Sequence, residues 1–434
     1  MACMEFVMIS GSAMFSLLGV LIAFAMIVLL IRRRYNFGLS LLIGSFILAF
    51  FSLFVTSSEA ILKAVIQAVI FNYETGQFQF QTIALAILMT LIYLLASLMQ
   101  DTGAIADLID SLRAFFSRGG TIALIPAIYG LMPVPGGALF SAPVVDEEGN
   151  RFQLQVDKKN FFNIWFRHIW FPVYPISSSI LIMADLADVN MYALIVTHLV
   201  VFFAMIFIGF ILLRKIVIND EIDRFQRKSS VDRNAKGFLF LLPPVVPLCF
   251  SVLSFAGILS LFPSFIIGVL FSIVLLYFLS DVSFDRYKKF LKNGLTWKLA
   301  AVILGIMLFR EIFSVSGANQ AIFSILQQLP IPILLVIIAF PFILGILTGY
   351  LLSGITLSYI LVSPLFQAIS MDTLGLVSIL FISGFIGYLI SPIHLCNVLS
   401  SEYLKTDTTR MYNIFIPSAL ILLIIHIIFV VLFF

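Results

Sequence analysis

The sequence predicts an all-α polytopic membrane protein: an inverted repeat with about ten transmembrane crossings, two re-entrant hairpins and two broken helices. Three observations lead there. Of 434 residues, 62% are hydrophobic and 11% charged, where a soluble domain carries about 25% charge. Apolar runs long enough to cross a bilayer alternate with short polar links along the whole chain. Landmarks of the first half recur in the same order in the second.

This composition excludes a cytosolic enzyme, a disordered regulator and a nucleic-acid binder. The net charge is only +3, and no Lys/Arg run forms a basic patch. Cys3, Cys249 and Cys396 lie far apart in apolar sequence, without Cys-x-x-Cys spacing or a Cys/His cluster. Along the chain they suggest packed thiols rather than a disulfide framework or a zinc site.

A hydrocarbon core about 30 Å thick needs about 20 apolar helical residues. Spans are expected near 10–31, 39–57, 80–100, 161–187, 190–213, 237–256, 263–280, 298–313, 374–403 and 411–434. The first lacks a basic leader and is followed by Arg32-Arg33-Arg34, so it reads as an uncleaved anchor with its N-terminus outside. Alternation then assigns 32–38, 101–119, 145–160, 214–236, 281–298 and 404–410 to the inner side. These links hold nearly all of the 25 Lys and Arg. Lys63 falls outside, and Arg167 and Arg310 fall within spans. Both termini are expected outside the cytoplasmic membrane.

The polar linker 214–236 separates two units, 1–213 and 237–434. Residues 80–213 align with 295–432 at an offset of about 214 to 220. Thr102-Gly103-Ala104 matches Ser316-Gly317-Ala318; Pro126 and Gly130 match Pro341 and Gly345; Pro175 matches Pro392; Met191-Tyr192 matches Met411-Tyr412. An odd number of crossings per unit turns the second upside down relative to the first, the arrangement typical of secondary transporters. Thr102 and Ser316 are expected to cap two interfacial helices that link scaffold spans to hairpins.

Four breaks interrupt the apolar runs. Irregular backbone survives at membrane depth only inside protein or beside a watery cavity, so each break is a candidate binding element. Pro133, Pro135, Gly136 and Gly137 form the turn of a hairpin over 120–145. Prolines stop its descending helix, and glycines permit positive φ and close approach. Thr348, Gly349, Ser353, Gly354 and Thr356 interrupt 331–369, either a second hairpin or two short spans. Prolines also break 161–187, beside Ser177, Ser178 and Ser179, and 374–403, at Ser391, Pro392, His394 and Asn397. Half-helix ends there would offer N–H groups to an anion and carbonyls to a cation.

Among ionisable residues within spans, Arg310-Glu311 is either a gate or an interfacial ion pair. Arg167 is expected to snorkel toward the inner surface. His394 is either a proton relay or a hydrogen-bonded structural residue, and His198 and His426 read as packed residues.

This pattern resembles the ion transporter superfamily, which includes gluconate permeases, arsenite permeases and divalent-anion:sodium symporters. Pro133-Val134-Pro135-Gly136-Gly137-Ala138 points more narrowly to a functionally uncharacterised prokaryotic branch. The resemblance implies a scaffold domain, a transport domain of hairpins and broken helices, homodimeric assembly and elevator-type motion. It also implies a small organic or inorganic anion as substrate, driven by Na⁺ or H⁺, with no other cofactor. The symporters carry a Ser-Asn-Thr signature at both tips; here the first tip is Pro-Val-Pro-Gly-Gly and the second only Ser353-Gly354-Ile355-Thr356. The expected activity is secondary transport of an anion, a carboxylate first, rather than enzymatic. The alternative is a membrane-embedded enzyme acting on a lipid-linked substrate, and a passive channel is a third reading.

Overall fold

The computed structural model describes residues 11–73, 76–78, 80–115, 120–131, 138–219, 235–326, 331–406 and 408–434. The first half comprises α1 (Gly11–Arg32), α2 (Phe37–Ser52), α3 (Ser58–Gln67), α4 (Gln81–Asp101) and α5 (Ala104–Phe115). It continues with α6 (Gly120–Gly130), α7 (Ala138–Arg151), α8 (Val156–Arg167), α9 (Ser178–Ala187) and α10 (Met191–Asn219). After a 3₁₀ turn at Ala235–Leu241 come α11 (Leu242–Phe250), α12 (Val252–Phe255), α13 (Leu261–Leu279), α14 (Phe284–Gly294) and α15 (Lys298–Val315). The chain ends with α16 (Ala318–Leu326), α17 (Ile333–Thr348), α18 (Leu351–Val362), α19 (Thr373–Leu389), α20 (Leu395–Leu404) and α21 (Thr408–Phe433). The described strands are a two-residue antiparallel pair, β1 (Phe71–Asn72) with β2 (Gln77–Phe78).

The protein is an all-helical, membrane-embedded chain. Among the described residues, seven helices are long and apolar enough to cross a membrane: Met14–Arg32, Gln81–Asp101, Met191–Arg214, Lys236–Ser254, Leu261–Leu279, Leu351–Ala368 and Thr408–Phe433. Phe284–Val315 and Ala318–Ile325 form a pair bent by 71°, which brings the number to eight. Other expected spans are shorter helices. α2 has 16 residues and α19 has 17, and 161–187 is divided between α8 and α9. Outer faces carry exposed Leu21, Phe203, Phe207, Phe278 and Leu432, as lipid contact requires.

Helix starts follow local chemistry. Asn36 Oδ1 accepts from Leu39 N at 3.1 Å, and Asp372 Oδ2 accepts from Leu374 N at 3.0 Å, so each side chain satisfies an orphan donor. Asn190 Oδ1 does the same at α10, accepting from Tyr192 N and Ala193 N. On α3, which lies in an expected outer loop, Lys63 bridges Glu59 at 2.7 Å and holds that carboxyl below its ordinary value. Thr102 and Ser316 do not act as the expected N-caps alone. Thr102 donates to Leu98 O at 2.7 Å and Ser316 to Phe313 O at 2.7 Å, closing the preceding helices. Ser316 also accepts from Ala318 N. Gly103 (φ 84°) and Gly317 (φ 73°) then turn the chain into α5 and α16, in a region that L residues with side chains rarely enter.

Some elements of the two halves are alike. α9 runs over 178–187 and α20 over 395–404, and each is closed by a left-handed residue: Asp188 (φ 52°, ψ 43°) and Lys405 (φ 52°, ψ 44°). α6 packs on α8 as α17 packs on α19; α7 packs on α20 as α18 packs on α9. Elsewhere α2 packs on α15 and α13 on α4, while α10 crosses α21.

Glycines set the closest contacts. A Cβ on Gly130 would land on the Arg167 carbonyl oxygen, and one on Gly387 would land on the Phe342 carbonyl oxygen. A Cβ on Gly345 would stand 2.5 Å from Gly384 O. Backbone cannot move aside as a flexible side chain can. Gly130→Ala and Gly387→Ala are therefore each expected to destabilise the chain by about 1–3 kcal/mol. Gly120→Ala, with open space around it, should leave stability nearly unchanged. Thermal unfolding in detergent checks all three.

A buried polar seam at two helix breaks

α8 carries Lys159, Asn160, Asn163 and Arg167 within one arc of its surface, because residues separated by three, four or seven positions share a helix face. All four are buried, Asn160 and Asn163 completely. The other side of α8 is aromatic: Phe161, Phe162, Trp165 and Phe166 pack toward α10 and α21, and Trp165 Nε1 donates to Met205 O at 2.8 Å. Polar groups enclosed this way need partners, since an unpaired buried group costs about 1–3 kcal/mol.

Partners are supplied by neighbouring elements. Lys159 Nζ meets Asp146 Oδ1 at 2.7 Å and donates to Asn150 Oδ1 at 2.6 Å. Both partners lie in α7, which extends through the acidic run expected as a loop. Asn163 Nδ2 donates to Ala138 O (2.9 Å) and Ser400 Oγ (2.8 Å), while its Oδ1 accepts from Ser141 Oγ (2.5 Å). Asn160 Nδ2 donates to Asn397 Oδ1 at 3.1 Å. Arg167 is 1% exposed and its Nη1 donates to Tyr129 O at 2.8 Å. The expectation that Arg167 snorkels to the surface is therefore corrected: α6 and its neighbours enclose it.

Both proline-marked breaks lie at this seam. The first, 168–177, joins α8 to α9; the second, 390–394, joins α19 to α20. Pro172, Pro175 and Pro392 lack the N–H that would continue a helix. Ser391 Oγ donates to Ile346 O at 2.6 Å, fixing the second break to α17. Asn397 Nδ2 donates to the Tyr412 hydroxyl at 2.9 Å, and that hydroxyl donates to Ser391 O at 3.3 Å. Gly349 (φ 59°) turns α17 into α18, and a Cβ there would stand 2.9 Å from Ile393 O. The turn at Gly349 thus rests on the second break.

The breaks meet through three side chains. His168, His394 and Cys396 are buried, and each offers a nitrogen or sulfur atom within 4.8 Å of the others. The two imidazole centroids are 4.8 Å apart, and the Tyr388 ring lies 4.1 Å from His394. His168 Nδ1 lies 2.6 Å from Ile164 O, and its Nε2 lies 3.1 Å from the Tyr388 hydroxyl. A carbonyl only accepts, so Nδ1 carries the proton and Nε2 the lone pair. Neither ring nitrogen of His394 makes a hydrogen bond.

Other sequence candidates have different surroundings. Thr348, Ser353 and Thr356 donate back to Leu344 O, Tyr350 O and Leu352 O within their own segment. Gly354 packs on Gly345, with Cα 3.2 Å from where a Cβ would stand. Ser177 and Ser178 are half-buried at the start of α9, and Ser179 is buried. Pro133, Pro135, Gly136 and Gly137 lie outside the described residues. Arg310 and Glu311 are on α15, 4.0 Å apart and partly exposed, rather than on either broken helix. His198 and His426 are buried; His198 Nδ1 donates to Pro172 O at 2.8 Å, and His426 Nε2 lies 2.9 Å from Ser378 Oγ.

Linear spacing missed the Cys/His cluster, because residue 168 and residues 394–396 meet only in the fold. It also missed Asn160 and Asn163, although their spacing with Arg167 is a legible stripe. The chain belongs to the DUF401 family. Its profile, described as a protein of unknown function, matches residues 13–432. A comparison with curated proteins finds no match.

Asn163→Ala would strip Ala138 O and the Ser141 and Ser400 hydroxyls of a shared partner. A loss of about 2–4 kcal/mol is expected from those unpaired groups together, read as a lower thermal midpoint in detergent. Asn163→Asp, which removes the two N–H donors without changing size, should also destabilise.

Proposed function

We propose that the chain is a secondary active transporter of a small anion, a carboxylate first, driven by Na⁺ or H⁺ through elevator-type alternating access. The observation that carries this reading is the meeting of two helix breaks at His168, His394 and Cys396, with the Gly349 tip resting on the second break. Discontinuous helices paired across a pseudo-symmetric fold are the architecture of ion-coupled carriers.

Support for the repeat comes from the equal lengths of α9 and α20, their matching left-handed caps and the paired packing of helices in the two halves. On this reading 1–213 and 237–434 are inverted repeats joined by the 214–236 linker, with about ten crossings and both termini outside. α2, α4, α13 and α15 are the static scaffold, and the hairpins with α8–α9 and α19–α20 are the mobile part. Anion preference follows from the half-helix starts of α9 and α20, whose N–H groups favour negative charge. The buried Arg167 guanidinium adds a fixed positive charge nearby in sequence to the first break. The working form is taken as a homodimer in the cytoplasmic membrane, with no nucleic-acid partner.

One observation favours the enzymatic alternative: Cys396 beside two histidines is the pairing of a nucleophile with a base. Transport and catalysis are separated by what accumulates.

The test is uptake into proteoliposomes of a panel of labelled carboxylates and oxyanions under an imposed Na⁺ or H⁺ gradient. Gradient-dependent, saturable accumulation is expected, with counterflow separating a carrier from a channel. Accumulation of no anion by folded protein rejects the anion assignment, and chemical conversion of a lipid-linked substrate without accumulation supports the enzyme. Gly354→Val is expected to insert normally yet lose transport by more than tenfold (about 1.4 kcal/mol or more in the barrier), because its side chain would part the hairpin arms at Gly345. Full uptake by this variant would remove the second tip from the transport machinery.

A further inference from the structure

We propose that His168, His394 and Cys396 form a binding site for a soft or borderline d¹⁰ cation, Zn²⁺ or Cu⁺ in chemistry, held between the two helix breaks. The inference concerns equilibrium binding and stands whether or not the chain transports an anion.

Four features carry it. Two imidazoles and a thiol are a donor set for zinc-type and cuprous ions, which accept nitrogen and sulfur together. The three donor atoms lie within 4.8 Å of one another. Ligands on one such ion stand roughly 3–4 Å apart, given metal–nitrogen and metal–sulfur bonds of about 2.0 and 2.3 Å. The required contraction is therefore within reach of side-chain rotation. His168 is already in the tautomer a ligand needs: its Nδ1 proton goes to Ile164 O, and its Nε2 lone pair, which accepts from the Tyr388 hydroxyl at 3.1 Å, turns to the ion when that hydroxyl rotates away. A backbone carbonyl in that position is a common support for a metal-bound histidine. Finally, His394 is 1% exposed, yet neither of its nitrogens has a hydrogen-bond partner. A polar ring enclosed without a partner is unfavourable unless something binds it.

The neighbourhood disfavours other occupants. Na⁺ and Mg²⁺ require oxygen donors, Mg²⁺ in a near-octahedral shell, and the cluster's own donors are nitrogen and sulfur. Among the described residues no disulfide competes for the thiol, since Cys249 and Cys396 are both free. The Tyr388 hydroxyl, 3.1 Å from His168 Nε2, is positioned to complete the coordination or to hydrogen-bond a fourth ligand. Binding would convert the Cys396 thiol to a thiolate and release one proton to solvent, so affinity should fall as pH is lowered. A thiolate with a monovalent ion is neutral, whereas with Zn²⁺ it retains a positive charge that burial disfavours. The two ions are therefore distinguishable by affinity.

The experiment uses full-length protein in detergent, with Cys3→Ser and Cys249→Ser to leave one thiol. Zn²⁺, Ag⁺ as a redox-inert stand-in for Cu⁺, Co²⁺ as a chromophoric stand-in for Zn²⁺, and Mg²⁺ are titrated separately. Expected are one Zn²⁺ or Ag⁺ per chain, a thiolate-to-metal charge-transfer band with Co²⁺, a raised thermal midpoint on binding, and no response to Mg²⁺. Tighter Ag⁺ than Zn²⁺ binding assigns the monovalent ion, and the reverse assigns the divalent one. Cys396→Ser should abolish the charge-transfer band and weaken binding by more than about 100-fold, since loss of even an outer-shell partner costs about 10–100-fold. His168→Gln and His394→Gln make the same test on the imidazoles if the serine variant does not fold. Absence of stoichiometric Zn²⁺, Co²⁺ and Ag⁺ binding by the single-thiol protein overturns the proposal. So does a Co²⁺ band that persists in folded Cys396→Ser.

Discussion

Backbone that leaves a helix inside an apolar enclosure has to find hydrogen bonds without water, and much of this structure answers that requirement. The first break spans ten residues and the second five, between helices that are themselves largely buried. At the second, Ser391 reaches Ile346 O, and Tyr412 reaches Ser391 O. At the first, His198 reaches Pro172 O from the crossing helix α10. Tyr412 and His198 are side chains of helices otherwise committed to packing, and Ser391 ties its own break to α17. The breaks and the surrounding helices are therefore mutually dependent: prolines open the helices, and polar residues elsewhere make the openings tolerable.

The same requirement explains the composition of α8. A helix with two asparagines, a lysine and an arginine on one face would be a poor choice for a lipid-facing span. Enclosed by α6, α7, α20 and α21, it becomes a frame whose polar side ties α7 to α20 through Asn163 and Ser400. Its aromatic side packs against Phe415 and the α10 backbone. One helix thus joins the two halves by two different kinds of contact.

The helix breaks were legible in the sequence because proline acts locally: removing an N–H interrupts a helix wherever it folds. Pro172, Pro175 and Pro392 fall in the observed breaks, and Gly349 makes the turn between α17 and α18. Enclosure was not legible in the same way. Arg167 was placed by its distance from a span end, but its exposure is decided by which helices stand around it. The pairing of Cys396 with His168 links opposite halves of the chain, so no local spacing rule could detect it. Thr102 and Ser316 show a subtler limit. A hydroxyl at a helix junction can accept from the next helix or donate to the preceding one, and the residue type alone does not choose.

The glycine contacts between α17 and α19 have a mechanical consequence. Gly345 and Gly387 bring backbone against backbone, at Gly384 O and Phe342 O. Sliding at such a surface has no rotamers to absorb it, so every small displacement drives carbonyl oxygens into Cα atoms. α17 and α19 joined this way behave as a single rigid unit. Any change of shape must be taken up instead at joints filled by rotatable side chains, such as the aromatic contact of Phe37 with Tyr350. Stiffness and compliance are thus distributed by side-chain size: the residues with none define what moves together, and the bulky ones define where it can give.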